Sequence, residues 1–251
     1  MTDLCGVVLA AGSGTRLRPL TLELPKALCP VGGVPLVDLA LERLGSLGIS
    51  SVAVNANAFA EAVTAHVGER AHVSVESGEA LGTAGALGAL RPWIAGRATV
   101  VTNADAYLVG SLSPVLDGWD GASIRLGVVP DEVIPDFEGR WRYAGICVLP
   151  WADVRALDPV PSGLYEVSWR AALVAGRIEL VPVPGPFVDC GTPADYLAAN
   201  LLASGGETVI GEGAVVEGSA ERCVLWAGAR VGNDEHLVEA IRTASGLTVQ
   251  G

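Results

Sequence analysis

Leu4-Cys5-Gly6-Val7-Val8-Leu9-Ala10-Ala11-Gly12-Ser13-Gly14-Thr15-Arg16 runs from an apolar stretch straight into a glycine-rich turn. A short apolar run bounded by turn residues reads as a buried strand, and the segments that follow repeat the theme. Leu36 to Leu47 has helical apolar spacing (Leu36, Leu39, Ala40, Leu44, Leu47), and Ser51 to Val54 reads as a strand. Phe59 to Val67 is again helical, His72 to Val75 strand-like, Thr83 to Leu90 helical and Thr99 to Thr102 strand-like. Strands alternating with helices predict an α/β fold with a doubly wound, mostly parallel sheet, Rossmann-like, with helices on both faces. Such sheets bind ligands beyond the carboxyl ends of their strands, so the residues just after Ala10, Val75 and Thr102 are the first candidates.

The second half is less regular. Ile124 to Val129 and Tyr143 to Leu149 read as strands, Tyr165 to Ala175 as a helix and Ile178 to Val183 as a strand. Pro193 to Leu202 reads as a helix with proline in its first turn. Past Gly205-Gly206 the pattern changes: Ile210-Gly211-Glu212-Gly213-Ala214 is followed six residues on by Val216-Glu217-Gly218-Ser219-Ala220, and the spacing returns between Leu225 and Val231. A six-residue apolar period with glycines is the signature of a left-handed β-helix, against the plainer reading of a Gly-rich loop with two short strands. The chain is therefore divided into a main domain, residues 1–205, and a β-helix-like tail, residues 206–251. Little more than one coil is visible, too little to bury a core alone. It must pack on the main domain or on a second copy, which makes a homo-oligomer through the tail an expectation.

Composition narrows the function. Half of the 251 residues are hydrophobic and 18% are charged, which excludes a disordered chain. No apolar stretch approaches the ~18 to 20 residues that span a bilayer, and no secretory signal is read at the N-terminus, so no membrane partner is expected. A net charge of −12 excludes a general nucleic-acid binder, because a phosphate backbone needs a basic face. It leaves room for a small anion held by a few local cations. Cys5, Cys29, Cys147, Cys190 and Cys223 are odd in number and widely spaced, which reads as reduced thiols in a cytoplasmic protein. His66, His72 and His236 sit apart without ligand spacing and receive no role.

Leu9 and Ala11 to Thr15 place backbone amides where phosphates could approach. Gly-x-Gly alone is a weak signal; position 17 is Leu, and no Gly-Lys-Ser/Thr follows, so neither a dinucleotide fingerprint nor a P-loop fits. Arg16, Arg18 and Lys26 then cluster beside Pro19 and Pro25, which stiffen the loop. A rigid cationic loop after a glycine turn suits a triphosphate that must release pyrophosphate, whereas a solvated basic loop is the structural alternative. Of the 16 basic residues 15 are arginine; Lys26 is the one lysine.

Gly12-Ser13-Gly14-Thr15-Arg16-Leu17-Arg18-Pro19-Leu20-Thr21, with Pro25-Lys26-Ala27-Leu28 and Pro30-Val31-Gly32-Gly33-Val34-Pro35-Leu36, resembles the signature of the sugar-phosphate nucleotidylyltransferases, also called NDP-sugar pyrophosphorylases. The resemblance extends through Leu202 and more loosely into the tail. It implies the nucleotide-diphospho-sugar transferase fold, an NTP and a sugar 1-phosphate as substrates, and Mg²⁺ as cofactor. It makes Arg16 and Lys26 catalytic, on the departing pyrophosphate and on the α-phosphate respectively, with Leu9, Ala11, Gly12, Ser13, Gly14 and Thr15 around the nucleotide. Arg18 has the blander role of bracing the loop.

Four further segments follow the resemblance. Val101-Thr102-Asn103-Ala104-Asp105 has Ala104 where the family carries Gly, and Phe187-Val188-Asp189-Cys190-Gly191-Thr192-Pro193 matches its Asp-x-Gly-Thr-Pro motif. Asp105 and Asp189 are thereby implied as the metal ligands, and two carboxylates with phosphate oxygens and water suit octahedral Mg²⁺; Asp195 reads as a helix cap. Glu76 and Leu81-Gly82-Thr83-Ala84-Gly85-Ala86-Leu87 resemble the nucleotide-base segment, in the form frequent among guanylyltransferases of mannose 1-phosphate. Glu76, Gly82 and Thr83 are thus nucleotide candidates, while Thr83 as a helix cap is the structural alternative. Tyr143-Ala144-Gly145-Ile146 matches the sugar segment, and with it Asn103, Tyr143, Gly145 and Glu166 are sugar candidates.

The family's Glu-Lys-Pro is absent; only Phe137-Glu138-Gly139-Arg140-Trp141-Arg142 stands there, with Arg140 or Arg142 as substitute cations. This short form resembles the muramic-acid 1-phosphate uridylyltransferases. GTP with mannose 1-phosphate is the first expectation. A uridylyltransferase of a muramic-acid or amino-sugar 1-phosphate, and a weakly catalytic nucleotide-sugar-binding regulator, are the alternatives.

Overall fold

The computed structural model describes residues 3–251. In chain order its elements are β1 (Leu4–Leu9), β2 (Pro30–Val31), β3 (Val34–Pro35), α1 (Leu36–Ser46), β4 (Val52–Ala56), α2 (Ala60–Val67), β5 (His72–Val75), α3 (Gly82–Ile94), β6 (Ala98–Asn103) and β7 (Ala106–Leu108). There follow β8 (Ile124–Pro130), β9 (Trp141–Leu149), α4 (Trp151–Val154), α5 (Arg170–Val174), β10 (Ile178–Pro182), β11 (Phe187–Asp189) and α6 (Pro193–Ala203). The chain forms two compact units. One takes the chain up to Gly12 together with Leu39–Phe187, the other Ser13–Asp38 with Val188–Gly251. This division differs from a boundary at residue 205, because the signature loop and the tail fall in one unit.

The first unit holds a seven-stranded sheet of order β10-β8-β9-β6-β1-β4-β5. β1 lies parallel between β4 and β6, and β4 is parallel to β5. β9 runs against both its neighbours, β6 and β8, so the expected mostly parallel sheet carries one reversed strand. Strands covered on both faces lose the alternation of a half-exposed strand: Cys5, Val7 and Val8 of β1 are fully buried. Cys5, Val7, Val101, Leu126 and Leu149 of the sheet join Leu87, Leu90 and Ile94 of α3 in one core.

α3 is longer than its sequence pattern, running through Pro92. Its cap is Leu81 without a side-chain bond, and Thr83 serves differently, its Oγ1 accepting the Leu164 amide at 2.8 Å. The glycines of Gly82-Thr83-Ala84-Gly85-Ala86-Leu87-Gly88 explain themselves by packing. A Cβ at Gly85 would stand 2.2 Å from the Val160 carbonyl oxygen, and one at Gly88 2.4 Å from the Asp158 carbonyl. Residues 158–162 lie flat on this face of α3, with Ala84 N–H donating to Ser162 O and Ser162 N–H to Leu81 O, both at 3.0 Å.

In the second unit the short β2-β3 hairpin is antiparallel. α6 begins as its sequence promises: Thr192 Oγ1 accepts the Asp195 amide, with Pro193 in the first turn. α6 then braces the signature segment. Tyr196 OH donates to the Pro30 carbonyl, Asn200 Oδ1 accepts the Gly32 amide at 3.0 Å, and Trp226 Nε1 donates to Tyr196 OH at 3.1 Å. The tail consists of short strands stacked in parallel: Val209 pairs with Val224, Val215 with Arg230, and Ser219 with His236. Val224 pairs onward with Ile241, also in parallel. Cys223, Leu225, Ala229, Val231 and Ala240 form a small buried core inside it. Glu23 ties the tail to the loop by accepting from Ser245 Oγ at 2.6 Å and Thr243 Oγ1 at 3.2 Å.

Gly85→Ala should cost about 1–3 kcal/mol, because its Cβ meets backbone that cannot step aside. Gly45→Ala on α1, where nothing lies within 4 Å of the new Cβ, should stabilise by up to ~1 kcal/mol through helix propensity. Urea denaturation of both variants distinguishes them; equal midpoints would refute the close packing.

Candidate active site

In the first unit the site grows from the carboxyl ends of β1, β4 and β5, where strand amides run out of sheet partners. The Ala10 amide donates to Asn55 Oδ1 at 2.7 Å, and Asn55 Nδ2 donates to Glu76 Oε1 at 2.7 Å. Glu76 Oε2 accepts the Leu81 amide at 2.8 Å. Asn55 and Glu76 are 3% and 6% exposed, so this relay is a buried brace between the start of the glycine loop and the start of α3. Both Glu76 oxygens are engaged by the chain itself, which places Glu76 behind the expected nucleotide segment as its support. Asn55, missed in the sequence, had no motif to mark it; a strand-end Asn is legible only once β4 is known to lie beside β1.

Leu9 ends β1 half-buried and Ala11 is buried, while Gly12 is exposed with open space on its Cβ side. Gly82 opens α3 with its Cβ position 2.6 Å from Ser162 O. At the end of β6, the Ala104 amide donates to Leu9 O at 3.0 Å. Ala104 is buried and absent from the residues with left-handed backbone, so this turn does not require the family's glycine. Asn103 and Asp105 flank it, both half-buried.

Tyr143 and Gly145 lie on β9. The Tyr143 ring packs edge-on against Trp169, with centroids 5.1 Å apart, and burial pushes its phenol above the ordinary range. Trp169 is buried with an indole N–H that meets no acceptor among the described residues. Glu166 lies exposed on a π-helical turn, Tyr165–Trp169, its carboxylate folded over Gly163. Of the two substitute cations, Arg140 is exposed and pairs with Glu138 at 3.3 Å. Arg142 is more enclosed, 3.6 Å from Asp131 and over the Phe187 ring.

The second unit carries Ser13 to Arg16, Lys26 and Asp189. Gly14 is left-handed (φ 63°), and a Cβ there would stand 2.8 Å from Thr21 Cγ2 and 3.1 Å from Lys26 Cβ. Glycine thus lets the loop fold back until the lysine stem touches the turn. The Thr21 hydroxyl locks this fold by donating to Gly14 O at 2.8 Å. Next to it burial pushes the Cys29 thiol up to about 12, against the opposing pull of the Lys26 charge. Thr15 and Arg16 are exposed on the following short helical turn.

Arg16 Nη2 lies 3.4 Å from Asp189 Oδ2, with the arginine side chain 66% exposed. An ion pair so open to water contributes about 0–1 kcal/mol. Gly191 completes the arrangement: a Cβ there would stand 2.8 Å from Arg16 Nη2. The glycine of Asp-x-Gly-Thr-Pro is the floor on which Arg16 rests. Asp105 and Asp189 offer hard oxygen donors. Among the described residues no cluster of three or more His, Cys, Asp or Glu could hold a metal alone; each aspartate by itself is the kind of oxygen donor that Mg²⁺ takes alongside phosphate and water.

A glycine loop leaving a central parallel strand, one lysine folded against it and an arginine poised on a carboxylate define an α/β enzyme class that handles phosphates. The nucleotidyl transferase family model matches residues 5–120. The N-acetylmuramate alpha-1-phosphate uridylyltransferase of Caulobacter vibrioides is 34% identical over 228 residues, 77% of this chain and 94% of that protein. The mannose-1-phosphate guanyltransferase of Aspergillus fumigatus is 27% identical over 231 residues, 78% of this chain and 63% of its own length. Among solved structures, a Thermus thermophilus protein described as mannose-1-phosphate geranyltransferase superposes with a TM-score of 0.72 at 18% identity, covering 98% of this chain and 95% of that one. The chain belongs to the nucleotidyl transferase family and is a sugar-phosphate nucleotidyltransferase. Among the described residues no helix is long and apolar enough to cross a membrane.

Gly191→Ala should leave the fold unchanged, since the new methyl meets only the far end of a flexible side chain, and should push Arg16 off Asp189. Gly191 is buried, but moving a flexible guanidinium relieves the clash, so we expect the midpoint of thermal unfolding to shift by no more than about 2 °C while the KM for NTP rises several-fold. An unaltered KM would refute the seating of Arg16 on Gly191.

Proposed function

We propose that the enzyme transfers the guanylyl group of GTP to mannose 1-phosphate or a similar sugar 1-phosphate, with Mg²⁺, releasing pyrophosphate. The observation that carries the reaction is the folding of Lys26 against the Gly14 turn, beside an Arg16 that is held only by a weak exposed pair. The sugar-phosphate oxygen is already anionic at neutral pH, so no general base is needed. It attacks the α-phosphorus in line; one P–O bond forms as the bond to pyrophosphate breaks, and no proton moves. Lys26 neutralises the charge around the α-phosphate, loop amides from Gly12 to Thr15 hold the phosphates, and Arg16 takes the leaving pyrophosphate. Mg²⁺ bound by Asp105 and Asp189 would supply further charge neutralisation. Leu9, Ala11, Gly82 and Thr83 bound the nucleotide, and Asn103, Tyr143, Gly145 and Glu166 the sugar.

The base is read from Leu81-Gly82-Thr83-Ala84-Gly85-Ala86-Leu87 and from relatives bearing the mannose-1-phosphate guanyltransferase name. A second reading, UTP with a muramic-acid 1-phosphate, is favoured by the short link from β8 to β9 and by the Caulobacter relative, matched along nearly its whole length. The regulatory reading is weakened by retention of Arg16, Lys26 and both aspartates. We also read the tail as a short left-handed β-helix, supported by its stacked parallel pairs about 15 residues apart. Exposed Ile210 and Val238 on it support self-association, and the five buried thiols suit a cytoplasmic location.

Pyrophosphate release measured across GTP, UTP, CTP, ATP and dTTP, followed by a sugar 1-phosphate panel with the best of them, tests the substrate pair. GTP is expected to lead, and UTP in front would select the second reading. Lys26→Ala and Asp105→Ala should each lower kcat by about two orders of magnitude or more, on the scale of lost transition-state charge stabilisation, with circular dichroism unchanged. Near-normal turnover by either would sink the mechanism.

A further inference from the structure

Arg43, on α1, is a buried cation that the phosphate chemistry does not use. It is 8% exposed. Its Nη1 donates to Thr102 Oγ1 at 2.6 Å and to the Asn103 carbonyl at 3.2 Å, and its Nη2 donates to the Ala106 carbonyl. Those two carbonyls bracket the Ala104-Asp105 turn between β6 and β7. Thr102 Oγ1, the acceptor of one of these bonds, itself donates to the Gly145 carbonyl at 3.2 Å. Gly145 is nested against the same turn: a Cβ there would stand 2.7 Å from Ala106 Cβ and 3.5 Å from Asn103 Cβ. One guanidinium therefore grips both sides of the turn that presents Asp105, and through Thr102 it ties that turn to β9.

The planar fork of arginine suits this task, since two carbonyls and a hydroxyl are met from one rigid plane. A lysine at the same place has a single nitrogen and cannot span Asn103 O and Ala106 O with the same geometry. Deleting the guanidinium would leave buried acceptors unsatisfied and let the turn relax. A carboxylate that must meet a cation within a few tenths of an ångström depends on such a support.

We propose that Arg43 is a positioning residue which, through the Asn103 and Ala106 carbonyls, sets the Asp105 carboxylate for a divalent cation. The inference rests on the reading of Asp105 as a metal ligand. Mn²⁺ binding to the full chain, followed by loss of the free-ion electron paramagnetic resonance signal in the presence of GTP and then of UTP, tests it. For Arg43→Lys the Mn²⁺ Kd should rise about tenfold or more, while triphosphate binding without any divalent cation stays within about twofold and the Mg²⁺ activation constant rises in parallel. A folded Arg43→Lys with wild-type Mn²⁺ affinity would overturn the proposal. Should that variant fail to fold, Thr102→Val keeps the guanidinium and removes the hydroxyl link; a several-fold rise in Mn²⁺ Kd is expected, and wild-type affinity overturns the proposal equally. Asp105→Asn separates the two levels, since unchanged Mn²⁺ affinity there removes the ligand assignment itself.

Discussion

The hydrogen bond from the Ala10 amide to Asn55 Oδ1 stands where β1 leaves the sheet, and the candidate site follows from the problem it solves. A central parallel strand is satisfied on both edges as long as its neighbours run beside it. Past its carboxyl end the amides and carbonyls must find other partners, because a buried unmet group costs about 1–3 kcal/mol. This chain meets the need with side chains: Asn55 and Glu76 at β1, β4 and β5, and Arg43 with Thr102 at β6. Each of these is buried, and each fixes the backbone turn at its strand end.

The second unit applies the same logic to the loop itself. Loop residues 13–35 contain only brief helical turns and one hairpin of two-residue strands. Tyr196, Asn200, Trp226 and Ser245 supply the order that regular structure does not, all from residues far along the chain. Deletion of the tail thus acts on the loop bearing Lys26, without any need for the tail to touch substrate.

Much of this was legible in advance. The alternation of periods around Leu4–Leu9 predicted the sheet, and Pro193 predicted the start of α6, because both are local signals; the cap itself is Thr192, with the expected Asp195 donating its amide to it. The signature loop was legible through its family motif rather than its physics, since Gly-x-Gly by itself fits several nucleotide folds. What escaped was non-local. Glu76 was legible as an acidic residue after a strand, but its bonds to Asn55 and to the Leu81 amide were not, because they depend on β4 lying beside β5. The packing of Gly85 and Gly88 under the backbone of 158–162 was equally invisible, because nothing in the sequence says which segment lies on α3. Arg43 had no motif at all; it is one charged residue on an amphipathic helix until β6 is placed beneath it.

The use of cations separates structure from chemistry in this chain. Arg91 donates to the Arg155 and Leu157 carbonyls, Arg97 to those of Trp93 and Ile94, and Arg125 to Asp117 and Gly118 while pairing with Glu179. In Arg97 and Arg125 two nitrogens of one guanidinium reach two backbone acceptors, a task for which its fixed plane is suited and an ammonium is not. Fifteen arginines are compatible with that habit. Lys26 departs from it, and at one place only: on a proline-stiffened turn, its stem against the glycine that starts the loop. A compact charge on a flexible stem is poor at clamping carbonyls. It is well matched to a phosphorus centre whose surrounding oxygens rearrange during attack, because it can follow them without breaking a fixed fork.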